Sequence, residues 1–123
     1  VRKYPAATDA AAEAIANDYL ARVTDGVRMQ MFPMAPLTPA WSARKARMGY
    51  DSRTLIATGN YLQSFAVRKV GTGQFTVESD ARLYKFHEFG TRNMPARPHV
   101  GPARDGVKRS QVGRRAFHAV LGL

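Results

Sequence analysis

Apolar positions near the start of the chain recur every fourth residue. Ala11, Ile15, Tyr19, Val23 and Val27 form one stripe, with Ala12, Ala16 and Leu20 beside it, the spacing of an amphipathic helix face. Alanine is the strongest helix former, and Thr8 or Asp9 offers a side-chain oxygen to the free amides of a first turn. The pattern predicts a helix over residues 8–31, weakened at Gly26 and stopped by Pro33. Residues 32–38 hold Pro33 and Pro36 and read as an extended connector. Thr38-Pro39 then has the form of a cap followed by proline at the first helical position. A short helix over 39–47 would carry Trp41 on one side and Arg44, Lys45 and Arg47 on another, with Trp41 as a core or interface anchor.

Further on, Thr58 can cap a short helix that turns Leu62 and Phe65 inward. From Ala66 the period changes to two: Val67 and Val70 precede the turn Gly71-Thr72-Gly73, and Phe75 and Val77 alternate with Thr76 and Glu78. This predicts a β-hairpin over 65–80. Two strands alone are marginal in water, so the hairpin must lie on the first helix or join strands from elsewhere. Tyr84, Phe86 and Phe89 predict a helical turn closed by a left-handed Gly90, with the aromatics anchored in the core. Pro95, Pro98 and Pro102 stiffen the following loop, which would present Arg92, Arg97 and His99 in a fixed arrangement. A final helix over 102–121 follows, with Ala103, Gly106, Val107, Ser110, Gly113, Phe117, Val120 and Leu121 on one stripe. Its small residues predict close approach to a neighbour. The elements sum to an α+β fold in one domain, 1–123: a long N-terminal helix and a C-terminal helix packed on a small antiparallel β-sheet with a hairpin, and short helices in the connections.

Composition adds a strong charge signal. Nineteen Lys and Arg against nine Asp and Glu give 123 residues a formal net charge of +10. In residues 1–31 the basic side chains Arg2, Lys3, Arg22 and Arg28 balance Asp9, Glu13, Asp18 and Asp25. The excess lies in 44–53 and 92–115, which points to a basic face for nucleic acid, another polyanion or an acidic partner surface. There is no cysteine, so disulfides and thiolate metal sites are excluded. No apolar run reaches the roughly 20 residues of a membrane span, and the start Val-Arg-Lys-Tyr-Pro shows no apolar signal-peptide core. Val1 in place of Met reads as a removed initiator or as numbering after trimming.

Catalytic constellations are poor. His87-Glu88 lacks the second histidine of a His-Glu-x-x-His zinc helix. His99 and His118 stand apart from it, no carboxylate cluster accompanies them, and no serine lies in a Gly-x-Ser-x-Gly setting. Recognition modules for DNA or RNA are not matched either, so a DNA contact would be to phosphates, non-specific and salt-sensitive. Neither an enzymatic role nor a cofactor is expected.

Two blocks carry a resemblance. Leu55, Thr58-Gly59, Leu62 and Ser64 come in that order before the hairpin. After it come Tyr84, Glu88-Phe89-Gly90-Thr91, Met94-Pro95-Ala96-Arg97-Pro98 and the last helix. Over roughly residues 37–121, about two thirds of the chain, this resembles the neck, head–tail joining and tail-completion proteins of tailed bacteriophages, the small virion morphogenesis and minor tail families. The chain departs from the family at His99-Val100, where a bulky aromatic or aliphatic pair is more usual. The resemblance implies a non-enzymatic structural protein of the virion. It would form a six- or twelve-fold ring of its own copies, a neck ring beside the portal or adaptor or a tail-completion ring on the tail tube, assembled in the host cytoplasm and bound for the head–tail junction. Subunit-interface candidates are Phe89, Gly90, Thr91, Met94, Pro95, Arg97, Pro98 and Trp41. Candidates for a DNA channel or ring interface are Arg92, Arg104, Lys108, Arg109 and Arg115. A stand-alone, non-specific DNA-binding protein is the alternative that the charge leaves open.

Overall fold

The computed structural model describes residues 3–56, 59–81, 84–92 and 94–122. Helix α1 runs Lys3–Arg28, starting before the expected Thr8 or Asp9 cap. Alanines at 6, 7 and 10 carry the helix upstream, and Pro5 falls in the first turn, where its missing N–H is not needed. Thr8 instead donates its hydroxyl to the Tyr4 carbonyl within the helix. Asp9 turns sideways and accepts from Lys69 Nζ and the Gly73 amide. The Lys69 hydrogen bond, followed by that of Gly73, holds its carboxyl below the usual range.

The helix also stops before the expected Met31. Gln30 enters the left-handed region at φ +53°, and the Met31 and Gln30 amides return to the Gly26 and Val27 carbonyls, a Schellman closure. The Gln30 side chain fixes this turn by exchanging hydrogen bonds with the Thr54 backbone.

Helix α2, Pro39–Arg47, is capped as the sequence predicts: the Trp41 amide donates to Thr38 Oγ1 at 3.2 Å. A single turn, α3 (Asn60–Gln63), precedes the hairpin and has the left-handed Gly59 at its N-cap. Thr58 lies outside the described residues. Strands β1 (Phe65–Gly71) and β2 (Gln74–Ser79) pair antiparallel, with Val67 opposite Val77 and an irregularity between Lys69 and Gly71. Among the described residues the sheet consists of these two strands, laid against α1 as expected.

Helix α4 is Tyr84–Phe89. The expected C-terminal helix is two helices, α5 (Val100–Ser110) and α6 (Val112–Leu121), broken at Gln111, which takes φ +56°. Ser110 stabilises the break: its hydroxyl donates to the Val107 carbonyl and accepts from the Val112 amide. The small residues perform their predicted role against α1. A Cβ on Gly113 would meet Ile15 Cδ1 at 2.5 Å, and one on Gly106 would meet Arg22 Nη1 at 2.9 Å.

The buried apolar set is aliphatic: Ala7, Ala16, Val23, Val27, Ile56, Leu62, Ala103 and Val107. Val27, Ile56 and Leu62 cluster with Phe32 and Leu55. Phe32 lies over Gly26, where a Cβ would collide with its ring. Ile15, expected on the buried stripe, is 42% exposed.

Candidate functional site

The segment from α4 to the start of α5 forms an arm built around two buried side chains, Glu88 and His99. Helix α5 begins without a side-chain cap from its own His99. Its free amides are met from α4: Glu88 Oε2 accepts from the His99 and Val100 N–H at 2.8 and 3.2 Å, and Oε1 accepts from Gly101 N–H at 2.7 Å. A buried carboxylate facing a helix N-terminus is favoured by both hydrogen bonding and the helix dipole. His99 Nδ1 lies 2.7 Å from the Arg97 carbonyl. A carbonyl only accepts, so Nδ1 carries a proton, and Nε2 lies 2.7 Å from the Tyr61 hydroxyl.

Arg97 is buried rather than presented. Its Nε and Nη2 donate to the Ala35 and Pro36 carbonyls at 3.0 and 3.2 Å, and its amide donates to the His87 carbonyl. The guanidinium thus straps the proline connector to the arm. The expectation that the loop displays Arg97 and His99 is corrected on this point. The proline-rich backbone folds back and places both side chains in the interior.

Gly90 closes α4 at φ +76°, as predicted. A Cβ there would meet the Ala96 amide nitrogen at 2.7 Å and the Met94 carbonyl oxygen at 2.9 Å. Thr91 and Met94 pair by backbone hydrogen bonds immediately beyond. The fold accordingly requires glycine at the turn of the Phe-Gly-Thr block.

The aromatic expectation fails for Phe86 and Phe89, which are 46% and 76% exposed; the Tyr84 side chain lies outside the described residues. His87 and Glu88 occupy the inner face because the amides of α5 and the ring of Tyr61 sit there. Burial pushes the His87 imidazole pKa below its ordinary value, with His99 and Arg97 adding to the shift, and among the described residues His87 Nδ1 has no hydrogen-bond partner.

The other interface candidates fall nearby. Trp41, Met94, Pro95 and Arg97 line one cleft of about 530 Å³ together with Lys45; Pro98 is exposed. Lys45 was expected on a basic outer face, yet it is buried and donates to the Arg53 and Ile56 carbonyls at 2.8 and 2.6 Å. Burial pushes its ammonium pKa down, and Asp51 opposes this. Trp41 stays partly exposed, with the Arg44 guanidinium 5.8 Å from its ring centroid.

Arg92 is exposed beside the arm. Arg104, Lys108, Arg109 and Arg115 are exposed along α5 and α6, and Arg114 joins them. Arg104 sits at 4.0 Å from Asp105, an exposed pair that does little to neutralise it. Arg115 Nη1 donates to the Ser110 carbonyl at the helix break.

Sequence reasoning missed Glu88 and Lys45. Trp41 and Lys45 are four apart, so they share a helix face, and that spacing was the available signal for Lys45. Glu88 had none, since its partners lie 11 to 13 residues further on.

Among the described residues no His, Cys, Asp and Glu group has the make-up of a metal site, and no helix is long and apolar enough to cross a membrane. Comparison with protein-family models, curated proteins and solved structures finds no match.

Proposed function

We propose that the chain is a non-enzymatic structural subunit of a tailed-phage virion, assembling with its own copies into a ring at the head–tail junction. The resemblance of the Phe-Gly-Thr…Met-Pro-Ala-Arg-Pro block supplies the setting. One physical observation supports the assembly: the chain has more surface than a compact monomer of its mass. It exposes 8187 Å² at 13.6 kDa, where a folded monomer of that mass exposes roughly 6,600 Å². An excess of about 1,600 Å² marks an open, extended shape, which leaves a subunit surface to share with neighbours. Large apolar side chains left in water, Ile15, Met31, Trp41, Phe86 and Phe89 among them, and a sheet of two described strands with open edges fit the same reading.

The exposed basic row of α5 and α6 supports a place beside DNA. Repeated around a ring, it would concentrate positive charge on a lumen or against an acidic neighbouring ring. A ring beside the portal or adaptor and a ring on the tail tube use these features equally. Electron microscopy of the purified protein and of virions labelled with an antibody to it tests the proposal. The expected result is a six- or twelve-fold ring and label at the neck. A monomer by sedimentation, with unlabelled virions, overturns it.

A further inference from the structure

Two cations are buried without an anion. Lys45 and Arg97 are 2% and 8% exposed, and both line the cleft beside α2. Their hydrogen bonds run to main-chain carbonyls, those of Arg53 and Ile56 for Lys45 and those of Ala35 and Pro36 for Arg97. A carbonyl satisfies an N–H but does not cancel a charge, and a cation buried without a counter-charge is costly.

The chain's own side chains do not supply that counter-charge. All nine acidic side chains lie among the described residues, and none forms an ion pair with Lys45 or Arg97. Asp51 is the acid that acts on Lys45, yet its carboxylate already accepts from the Arg53 guanidinium and amide. Ala57, Thr58 and Asn93 adjoin lining residues in the sequence and lie outside the described set, and none of them is an acid.

Hydrogen-bonding capacity is left over as well. An ammonium has three N–H groups and a guanidinium five; among the described residues the Lys45 and Arg97 side chains each donate two hydrogen bonds. The Arg97 Nη1 donates to no described acceptor, and the buried side-chain polar atom without a partner among the described residues is instead His87 Nδ1, on the same cleft. Nη1 therefore meets solvent. Trp41, Leu55 and Met94 give this cleft of about 530 Å³ an apolar wall. A planar carboxylate matches the edge of a guanidinium, and an apolar body behind it gains from the wall in a way that a hydrated phosphate does not.

We propose that the cleft binds a carboxylate carried on an apolar body, an acidic side chain beside a large apolar one on a partner protein, with Lys45 and Arg97 as its counter-charges. Its occupancy does not depend on whether copies of the chain form a ring.

Trp41 is the sole tryptophan, so its fluorescence reports on the cleft. Titrating the full-length protein with 4-phenylbutyrate should give a saturable change. The neutral 4-phenylbutyramide should bind about tenfold or more weakly, and inorganic phosphate at the same ionic strength should be the poorer anion. Nitrogen-15 NMR should place the phenylbutyrate shifts at Lys45, His87 and Arg97. In Lys45→Met, which keeps an unbranched stem, affinity should fall about tenfold or more. Thermal unfolding checks that variant, and where it does not fold the wild-type shift map decides. Equal affinity for acid and amide removes the role of the counter-charges, as does unchanged affinity in a folded Lys45→Met protein. Shifts confined to Arg104 and Arg109, or no saturable change at high millimolar probe, remove the site. Phosphate binding more tightly than phenylbutyrate removes the carboxylate as the ligand class. The ring reading fails only on the microscopy and sedimentation above, so the two are separable.

Discussion

Replacing Glu88 tests whether the arm is held from within. Its carboxylate is 8% exposed and accepts three main-chain N–H groups at the start of α5, at 2.8, 3.2 and 2.7 Å. In Glu88→Ala those amides lose their acceptor at the positive end of an 11-residue helix. A buried unsatisfied amide costs about 1–3 kcal/mol. Relief of the carboxylate's own desolvation, and water entering the vacated space, offset part of the sum, leaving a net loss of about 3–5 kcal/mol. Glu88→Gln keeps one accepting oxygen but turns an NH2 toward the remaining N–H, so about 2 kcal/mol should be lost. Against a typical total of about 5–15 kcal/mol, the alanine variant should be severely destabilised and the glutamine variant measurably so. Urea unfolding followed by circular dichroism reads both, with the midpoint moving and the slope unchanged. Lys85→Ala, on the exposed face of the same helix, is the control and should change stability by less than about 0.5 kcal/mol. A Glu88→Ala protein within about 1 kcal/mol of wild type refutes the account of the arm.

Gly90→Ala should cost about 2–4 kcal/mol, because it combines a left-handed backbone with a Cβ driven into main-chain atoms of residues 94 and 96; calorimetry should show a fall in Tm, and an unchanged Tm would contradict the turn. His87 should make stability pH-dependent. Its folded-state pKa lies below the ordinary 6.5, so below pH 6.5 the unfolded chain binds the proton more readily, and stability should fall as pH drops from about 7 toward 5.5. His87→Leu should flatten that window, and an identical pH profile in the variant would exclude His87 as its source. Reversing Arg104 and Arg109 to Glu should leave folding within about 0.5 kcal/mol, since both are exposed, yet lower particle assembly or DNA retention. Wild-type infectivity and DNA content in that variant would remove the basic row from the DNA channel or ring interface.

Elements with a local cause were legible in the sequence. The Thr38-Pro39 cap, the Gly71-Thr72-Gly73 turn with its period-two flanks, and Gly90 each fix backbone conformation within a few residues. The expected cap at Thr8 or Asp9 is absent because alanines before it continue the helix, and propensity summed over a turn outweighs one capping oxygen. Gln111 concealed the break between α5 and α6, since no glycine or proline marks it. The interior of the arm was hidden for a different reason. Six residues of helix are too few for periodicity to choose a buried face. The choice of His87 and Glu88 over Phe86 and Phe89 depends on amides and a tyrosine ring distant in the sequence. Lys45 is buried because two carbonyls, of Arg53 and Ile56, converge on its ammonium, and that convergence is a tertiary fact.

Arg97 has a consequence for the conditions under which the arm keeps its shape. A guanidinium does not deprotonate in the accessible pH range, and its acceptors, the Ala35 and Pro36 carbonyls, do not titrate. The contact is also shielded from solvent ions, whereas exposed pairs such as Arg68–Glu78 at 2.7 Å weaken as salt rises. The protein therefore contains two populations of cationic contact. One responds to ionic strength and sets how copies or polyanions meet its surface. The other keeps residues 35–36 and 97 at a fixed separation while the surface potential around them rises or collapses.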